Sequence, residues 1–375
     1  MDGQIARLII DSPKRDADLF YLTRIKAPDP LVWIQVGKKT ILLVSDLEFE
    51  RTKKESTVHS VYPIRIYQKK ASKLLGSTSL VHAACVFFKE NKVKIVEVPR
   101  SFPVGLIPPL KEAGFEIRII NAGFAKSRRK KKKWEVEEIR KCIQIGAEGI
   151  NLAVSMIANS QIKNGELWFS DSALTSERIK REVMKFLIDH DCQSAGLILA
   201  GRKDQTVMPH HTGSGKLIAG DSIIMDFFPK SQISGYHGDI TRTIVKGKPG
   251  TKLKKMYETV RMVEEKVSQM IKPGVEGKDL HRKALELFKR NGFETGKKNG
   301  FPYGFFHGIG HGLGIEIHEK PSLSGGDKLE EGDVITIEPG LYYPGIGGVR
   351  HENVYYVTAT GATLLTDYEI PFEIP

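Results

Sequence analysis

The sequence predicts an α/β protein, α+β in its second part, with a small N-terminal α/β domain and a larger C-terminal domain. Its 375 residues correspond to two or three domains at ~150 residues each. Apolar residues make up 40% of the chain and charged residues 27%, a composition that can bury a core. Residues 1–133 carry 27 Lys/Arg against 13 Asp/Glu, whereas residues 134–375 carry 30 against 32. The basic excess therefore belongs to the first third of the chain.

The domain boundary is predicted at the basic run Arg128–Lys133. We expect an N-terminal domain at 1–125, a basic linker at 126–133 and a C-terminal domain at 134–375. A cationic cluster can bind nucleic acid through counterion release. This run, however, is short and has no aromatic residues among its charges. We therefore favour either a solvated linker or the lead-in to a helix, and we expect no nucleic-acid partner.

Targeting and redox signals indicate a cytoplasmic protein. No apolar run approaches the ~20 residues that span a bilayer, and the N-terminus has no small-residue cleavage site. Cys85, Cys142 and Cys192 are far apart and odd in number, which argues against a disulfide scaffold and a clustered cysteine–zinc site. We expect a reducing compartment and no membrane association.

The N-terminal domain is predicted from strands that alternate with helix-compatible segments. Residues 31–46 form two apolar runs around Gly37, a pattern typical of a hairpin. Other apolar runs, interpreted as strands, and one helix-compatible segment complete the domain; the runs lie at 80–88, 94–98 and 115–120, and the helical segment at 103–113.

Four helices are predicted in the C-terminal domain, because apolar residues recur there at the helical period. They are expected at Trp134–Ala158, Ser176–His190, Leu253–Ile271 and Glu276–Asn291. The last of them stops at an Asn-Gly pair, which commonly ends a helix.

Two acids interrupt apolar segments between Ser222 and Val245. Asp226 stands in the middle of IIMDFF, and Asp239 precedes the alternating segment ITRTIV. An acid in an apolar strand is costly to bury unless it is paired or binds metal. A hairpin would place both acids opposite each other on one face. Taken singly, each acid is equally compatible with a strand end or a turn.

Three histidines lie in the glycine-rich segment FFHGIGHGLGIEIHEKP, at His307, His311 and His318. A single histidine is usually a satisfied polar residue, but three in so short a segment favour a site. The spacing of the first two is similar to the His-x-x-x-His of zinc proteases. The glutamate that follows the first histidine there is absent, and the alternating glycines disfavour a helix.

A second hairpin is predicted between 333 and 358, again with one acid on each strand. Glu338 ends the strand VITIE before a turn at Pro339-Gly340, and Glu352 lies on the return strand GVRHENVYYVT. Four carboxylates and one imidazole match the oxygen-rich ligand sets of hard and borderline divalent ions.

The motifs MPHH, IIMDFFPKSQISGYHGDITRTIV, FFHGIGHGLGIEIHE, ITIEPGLYY and GVRHENVYYVT resemble the Xaa-Pro peptidases of the methionine aminopeptidase, prolidase and creatinase superfamily. The resemblance is strong from Trp134 onward and weak over residues 1–125, which are similar to the N-terminal domain of creatinases and prolidases. It implies a C-terminal pita-bread fold, in which two α/β halves enclose a curved antiparallel sheet. It also implies a homodimer and two divalent metal ions per chain, manganese with cobalt or zinc as substitutes.

The resemblance implies a role for each motif residue. The implied metal ligands are Asp226, Asp239, His311, Glu338 and Glu352, and Glu338 is also the implied proton acceptor. The implied catalytic histidines are His210, His307 and His318, and the implied substrate-binding residues are His211, Tyr236 and Arg350. His210 is preferred to His211 because it follows Pro209. Tyr236 is equally compatible with core packing.

The implied activity is hydrolysis of the bond between an N-terminal residue and proline. We favour an Xaa-Pro aminopeptidase that accepts longer peptides, because the motifs contain no dedicated arginine clamp for a free proline carboxylate. The alternative is a prolidase, which cleaves only the dipeptide Xaa-Pro. A creatinase-like enzyme and a non-enzymatic module are disfavoured because all five ligands are present. A stand-alone methionine aminopeptidase is disfavoured by the additional N-terminal domain.

Overall fold

The chain consists of two compact units in the computed structural model, which describes residues 4–121 and 123–375. The units are Met1–Arg128 and Arg129–Pro375. The division therefore falls within the basic stretch 126–133.

The first unit is built on one six-stranded sheet with helices. Its strands are β1 (Gln4–Asp11), β2 (Leu31–Val36), β3 (Lys39–Val44), β4 (Ser60–Pro63), β5 (Val93–Pro99) and β6 (Glu116–Ile120). Its helices are α1 (Ala17–Thr23), α2 (Asp46–Glu55), α3 (Ile64–Leu75), α4 (Leu80–Glu90) and α5 (Ile107–Glu112), with short 3-10 turns at Val104–Leu106 and Lys126–Arg128. The strand order is β4-β3-β2-β1-β5-β6. β1, β2 and β3 pair antiparallel, and the outer strands join in parallel.

The sequence prediction for the first unit is confirmed at the β2–β3 hairpin and is wrong at residues 80–88. That apolar run is helix α4, which begins after Ser79, whose hydroxyl accepts a hydrogen bond from the backbone N–H of His82. Residues on all sides of this helix are buried, including Ala83, Ala84 and Phe88. A helix buried all round shows no period in its hydrophobicity, so periodicity alone cannot separate it from a buried strand.

No single helix in the described part of the chain is long and apolar enough to cross a membrane. Helices α3 and α4 reach the length and apolar composition of a membrane span only when they are counted together, and the chain bends by 88° between them.

The second unit carries two helix pairs and several antiparallel ladders. Its helices are α6 (Lys133–Ala158), α7 (Ser176–Asp189), α8 (Lys203–Thr206), α9 (Thr251–Ser268) and α10 (Gly277–Arg290). Its first strands are β7 (Gln161–Lys163), β8 (Glu166–Phe169), β9 (Ser172–Ala173), β10 (Cys192–Ala200), β11 (Ser222–Ser231), β12 (Ile240–Lys246), β13 (Gly296–Lys298) and β14 (Phe301–Tyr303). The remaining strands are β15 (Val334–Ile337), β16 (Gly340–Tyr343), β17 (Gly347–Arg350), β18 (Asn353–Val357), β19 (Ala362–Leu364) and β20 (Glu373–Ile374).

Each helix pair covers its own set of strands. Helices α6 and α7 pack on the sheet β10-β11-β12-β20 through a core that includes Ile150, Val183 and Phe227. Helices α9 and α10 pack on the β15–β18 region through a core that includes Val260 and Ile335. The four predicted helices are confirmed, with ends that differ by at most three residues. Their apolar stripes were readable because each helix buries only one side.

The basic run leads into helix α6, as one of the two expectations has it. Solvation holds for Lys130, which is 60% exposed, but it is wrong for Arg129, whose side chain is 21% exposed and ion-paired. The Arg129 guanidinium donates to both carboxylate oxygens of the buried Asp333, at 2.8 and 2.9 Å. It also donates to Glu330 at 2.8 Å, and Lys130 pairs with the same glutamate at 2.7 Å. Their charges are therefore neutralised by the segment that precedes β15.

Candidate metal centre and active site

Asp226 lies inside β11, buried at 6% exposure among apolar neighbours. The β11–β12 register places it opposite Thr241, and Asp239 lies just before the start of β12. The predicted antiparallel hairpin is confirmed, but its register differs by two positions from the one that would place the two acids directly opposite each other. Beyond Phe227, β11 continues to Ser231 and still bonds to the returning chain, since the Gly238 N–H donates to the Pro229 carbonyl at 2.8 Å and the Ser231 N–H to the Tyr236 carbonyl at 2.9 Å. The segment between the two acids is thus largely a paired hairpin, and Asp239 lies within it, directly before β12.

Glu338 and Glu352 lie at a break in one long hairpin. β15 pairs with β18 on one side of the break, and β16 pairs with β17 on the other. At the break, the backbone N–H of His351 donates to the carbonyl of Pro339 at 3.3 Å. The turn predicted at Pro339-Gly340 is therefore not a chain reversal, because the chain continues through β16 before it returns. The break leaves both glutamates outside the regular ladders, where their side chains can approach the same point.

His311 is placed by the glycine-rich segment, which runs alongside β15. The backbone N–H of Thr336 donates to the carbonyl of His311, and that of Glu338 to the carbonyl of Ile309, both at 2.8 Å. This close approach requires glycine at position 310, because a Cβ there would lie 2.0 Å from the carbonyl oxygen of Thr336. The predicted absence of a helix in this segment is confirmed.

Three side chains from separate parts of the second unit converge on one point. Ligand atoms of Asp239, His311 and Glu352 all lie within 4.8 Å of one another. Nε2 of His311 lies 3.5 Å from Oδ2 of Asp239 and 3.7 Å from Oε1 of Glu338. Four of the five predicted ligands therefore surround one small volume.

Asp226 belongs to the same electrostatic cluster. Burial and the neighbouring carboxylates raise the pKa of Asp239 and Glu338 well above their usual range. Burial, followed by the charge of Asp226, raises the pKa of Glu352 to about 7. Like charges at this separation disfavour simultaneous ionisation. The cluster therefore needs either protons or a cation.

The donor set fits divalent metal ions. Oδ1 of Asp226 and Oδ1 of Asp239 are buried and have no hydrogen-bond partner among the described residues. Nδ1–H of His311 donates to the carbonyl of Gly312 at 3.2 Å, and burial lowers the pKa of this imidazole to about 3. The lone pair on its Nε2 therefore faces the carboxylate oxygens of Asp239 and Glu338, and either a proton or a cation must lie between them. Such an arrangement is repulsive without a cation and is the usual preparation of a histidine ligand.

Arg350 is buried within the protein's own hydrogen bonds. Its guanidinium donates to Oδ2 of Asp226, to the Tyr342 hydroxyl at 3.0 Å and to the carbonyl of Pro209 at 3.3 Å. Its side chain is 3% exposed. We infer that Arg350 orients Asp226, since its donors are already directed at protein oxygens.

His307 is held by two hydrogen bonds. Nδ1 contacts the Gly308 carbonyl at 2.8 Å, and because a carbonyl only accepts, Nδ1 carries the proton. Burial lowers the pKa of His307 to about 3, so the ring is neutral and Nε2 accepts from the Tyr342 hydroxyl at 3.0 Å. Both ring nitrogens are therefore occupied, and His307 presents a fixed ring to its surroundings.

The remaining predicted histidines differ in what they contact. His318 packs edge-on against His311 with ring centroids 4.2 Å apart. Burial, followed by the charge of Arg350, lowers the pKa of His307, and burial also lowers the pKa of His318. His210 is exposed. His211 instead accepts from the Gly213 N–H at 2.9 Å.

Tyr236 is 2% exposed and donates its hydroxyl to Oε1 of Glu135 on α6 at 2.7 Å. Its ring also packs edge-on against Trp134. These are the contacts of a residue packed in the core, which is the alternative that the sequence leaves open for Tyr236.

Sequence reasoning missed two supporting residues. Tyr342 joins Arg350 to His307, and Arg242 donates to the backbone carbonyl of Glu352 at 2.6 Å and to the Asn353 side chain at 2.9 Å. Arg242 is 1% exposed. The signal for Arg242 was its position among alternating apolar residues of a strand, where a charge must be paired. Its partner could not be read from the sequence.

The chain matches the model of metallopeptidase family M24 over residues 137–359. An Xaa-Pro dipeptidase of Pyrococcus horikoshii is 30% identical over 339 residues, which cover 89% of this chain and 85% of the relative. An Xaa-Pro dipeptidase of Pyrococcus furiosus is 29% identical over 344 residues, which cover 89% of this chain and 86% of the relative.

Solved structures share the architecture of the chain. The prolidase from Pyrococcus horikoshii OT3 superposes with a TM-score of 0.79 at 27% identity, covering 98% of this chain and 95% of that one. An X-Pro aminopeptidase from Thermotoga maritima MSB8 also gives a TM-score of 0.79, at 21% identity, covering 98% and 96%. At that lower identity the second match carries information on the fold alone.

Proposed function

Given that this chain belongs to metallopeptidase family M24 and has a pita-bread fold, we propose that it hydrolyses the peptide bond between an N-terminal residue and proline. The observation that carries the proposal is the convergence of Asp239, His311 and Glu352, with Glu338 beside them, in a buried cluster. The guanidinium of Arg350 pairs with Asp226, but one cation does not offset the repulsion among four carboxylates on elements far apart in the chain.

Within this activity we propose the dipeptidase. The absence of a dedicated arginine clamp for a free proline carboxylate in the motifs favours the aminopeptidase. The two relatives that align with 89% of this chain are named Xaa-Pro dipeptidases. The similarity to an X-Pro aminopeptidase, at 21% identity, supports only a shared fold. The balance therefore favours Xaa-Pro dipeptides as substrates.

In the proposed reaction, Asp226, Asp239, His311, Glu338 and Glu352 would hold two divalent ions. These ions, when bound, supply Lewis acidity that polarises the scissile carbonyl and lowers the pKa of water towards neutrality. Glu338 accepts a proton from the attacking water and passes it to the proline nitrogen.

The histidines orient and stabilise the substrate in this proposal. Partial burial of the ring lowers the pKa of His318, so its imidazole is neutral, and it donates a hydrogen bond to the developing oxyanion. His307 transfers no proton, since both of its ring nitrogens are engaged; it provides a fixed wall for the substrate. The bond before proline is a tertiary amide without an N–H. A site that asks for no N–H contact can therefore accept it.

We expect Ala-Pro to be hydrolysed with a kcat/KM at least ~10-fold above that of Ala-Pro-Ala, a difference of about 1.4 kcal/mol in transition-state stabilisation. The physical reason is that a site adapted to the free proline carboxylate leaves polar groups unpaired when that carboxylate becomes an amide. Initial rates with manganese-loaded protein, followed by proline release, would measure both values.

Ala-Ala serves as the control for proline specificity, since it has the same carboxylate on a secondary amide. Faster hydrolysis of Ala-Pro-Ala than of Ala-Pro would contradict the dipeptidase and restore the aminopeptidase. Equal rates for Ala-Ala and Ala-Pro would contradict the proline specificity itself.

We also propose that the protein is a homodimer, as the family resemblance implies. Charge supports association, because residues 1–133 carry an excess of 14 positive charges and residues 134–375 an excess of two negative charges. Sedimentation velocity at micromolar concentration in moderate salt should give about twice the 41.9 kDa of one chain. A single species at the monomer mass would contradict this proposal.

A further inference from the structure

We propose that Lys131 is a positioning residue for the active site, acting through a buried ion pair with Glu319. This inference rests on the proposed function, because it concerns the loop that carries His311 and His318. Lys131 lies in the basic run before α6, and its ammonium pairs with Glu319, outside the carboxylate cluster.

The ion pair is almost completely buried. Nζ of Lys131 lies 2.7 Å from Oε1 of Glu319, and the two side chains are 1% and 5% exposed. An ion pair removed from water contributes little net stability, because the desolvation of both charges offsets their attraction. The ion pair instead fixes the positions of the two side chains relative to each other, because either charge without its partner is strongly disfavoured in that environment.

The Lys131 end of the pair is anchored independently of the loop. Its backbone N–H donates to the carbonyl of Gly332 at 2.8 Å. Two residues earlier, Arg129 holds the buried Asp333 through two hydrogen bonds. The segment 129–131 is therefore attached to the start of β15, the strand that leads to Glu338. Lys131 extends from a rigid base.

The Glu319 end determines the path of the loop. Oε2 of Glu319 accepts from the backbone N–H of Glu316 at 3.2 Å, which closes the turn before His318. The carboxylate also lies directly against Gly314, where a Cβ would come within 2.4 Å of its Oε1. The backbone N–H of Glu319 donates to the carbonyl of Gly312 at 2.9 Å. One residue thus holds together the stretch 312–319.

This stretch links two functional side chains. Gly312 follows His311, Glu319 follows His318, and the two imidazole rings are in edge-on contact. A shift of Glu319 would therefore move His318 relative to His311. Lys131 fixes the position of the imidazole that would stabilise the oxyanion, and a displacement of about 1 Å at such a group can cost ~10²-fold in rate.

Lys131→Met tests the inference, with Lys130→Met as the matched control. Met replaces the ammonium while keeping most of the apolar stem, and Lys130 is its neighbour in the run with a 60% exposed side chain. We expect Lys131→Met to lower kcat for Ala-Pro by ~10- to 100-fold with KM changed less than ~3-fold, because His318 acts mainly in the transition state. Lys130→Met should keep the wild-type kcat.

Coupling between the partners and rescue separate positioning from simple structural support. In a double-mutant cycle, adding Lys131→Met to Glu319→Gln should cost less than ~3-fold in kcat, because the pair is already broken. Lys131→Arg should recover at least half of the lost activity, since it restores the charge. Additive losses in the cycle would overturn the inference.

A further variant keeps the test decisive if Lys131→Met folds poorly. The double variant Lys131→Met/Glu319→Met replaces the ion pair by an apolar pair, a change that is often neutral for stability. We expect it to melt near the wild type but to stay slow, because the turn closed by the Glu319 carboxylate is lost. Full kcat in this variant would overturn the inference. If the wild type itself fails to hydrolyse Ala-Pro, the proposed function is at fault instead.

Discussion

The Glu338→Gln variant should keep the fold and lose at least ~10²-fold in kcat on Ala-Pro, because one substitution removes a ligand charge and the proposed proton acceptor together. Glu338 lies at the break between β15 and β16, and its carboxylate is 3.7 Å from Nε2 of His311. Gln preserves the size of the side chain and the backbone N–H bond to the Ile309 carbonyl. The loss should therefore reflect chemistry and metal binding, with little change in packing.

Circular dichroism and steady-state kinetics at saturating manganese would measure this effect. Glu331→Gln is the matched control, because Glu331 is an exposed glutamate before the same strand and lies outside the carboxylate cluster. Turnover of the manganese-loaded Glu338→Gln variant within a few-fold of the wild type would show that the proton acceptor is a different group.

The second large effect concerns stability without metal. Burial and their neighbouring carboxylates raise the pKa values of Asp239, Glu338 and Glu352, so in the metal-free protein their ionisation opposes folding. We expect Asp239→Asn to melt at a higher temperature than the wild type when both are free of metal near pH 8, where the wild-type cluster is most strongly driven to ionise. With manganese the order should reverse.

The order of the two melting temperatures reverses because metal binding is linked thermodynamically to folding. A metal that binds only the folded state stabilises it by about 2.7 kcal/mol at 100 times its dissociation constant, which corresponds to about 5 °C or more in melting temperature. The wild type should gain this increase, and Asp239→Asn should gain much less. Differential scanning fluorimetry with EDTA or MnCl2 would measure it, and elemental analysis of desalted protein should find about two metal ions per chain.

Asp221→Asn provides the control for a charge change outside the cluster. Asp221 is partly exposed before β11, and its carboxylate accepts from the Lys203 N–H at 3.0 Å. A wild-type melting temperature that is insensitive to manganese, with no metal retained, would contradict the metal centre. A metal-free Asp239→Asn that melts below the wild type would contradict the repulsion between the carboxylates.

The residues by themselves made Asp226 and Glu338 candidate ligands, and the resemblance of the motifs to the Xaa-Pro peptidases implied the full set. Asp226 in IIMDFF and Glu338 at the end of VITIE stand out because a carboxylate in an apolar strand carries a local desolvation cost. The helices α6, α7, α9 and α10 were equally readable, since each has one apolar stripe. Both signals depend on residues that are close in the chain, so no knowledge of distant contacts was needed.

The tertiary structure alone decided how these residues meet. The register of Asp226 with Thr241, the break that places Glu338 beside Glu352, and the engagement of Arg350 by Asp226 and Tyr342 all depend on pairing between distant segments. The helical state of the run 80–88 could not be read from the sequence because residues 83–88 are all buried, which leaves no period to read. The pairing of Lys131 with Glu319 joins residues 188 positions apart. An exposed lysine and a buried, paired lysine have the same sequence signature, because burial and partner choice are properties of the folded chain.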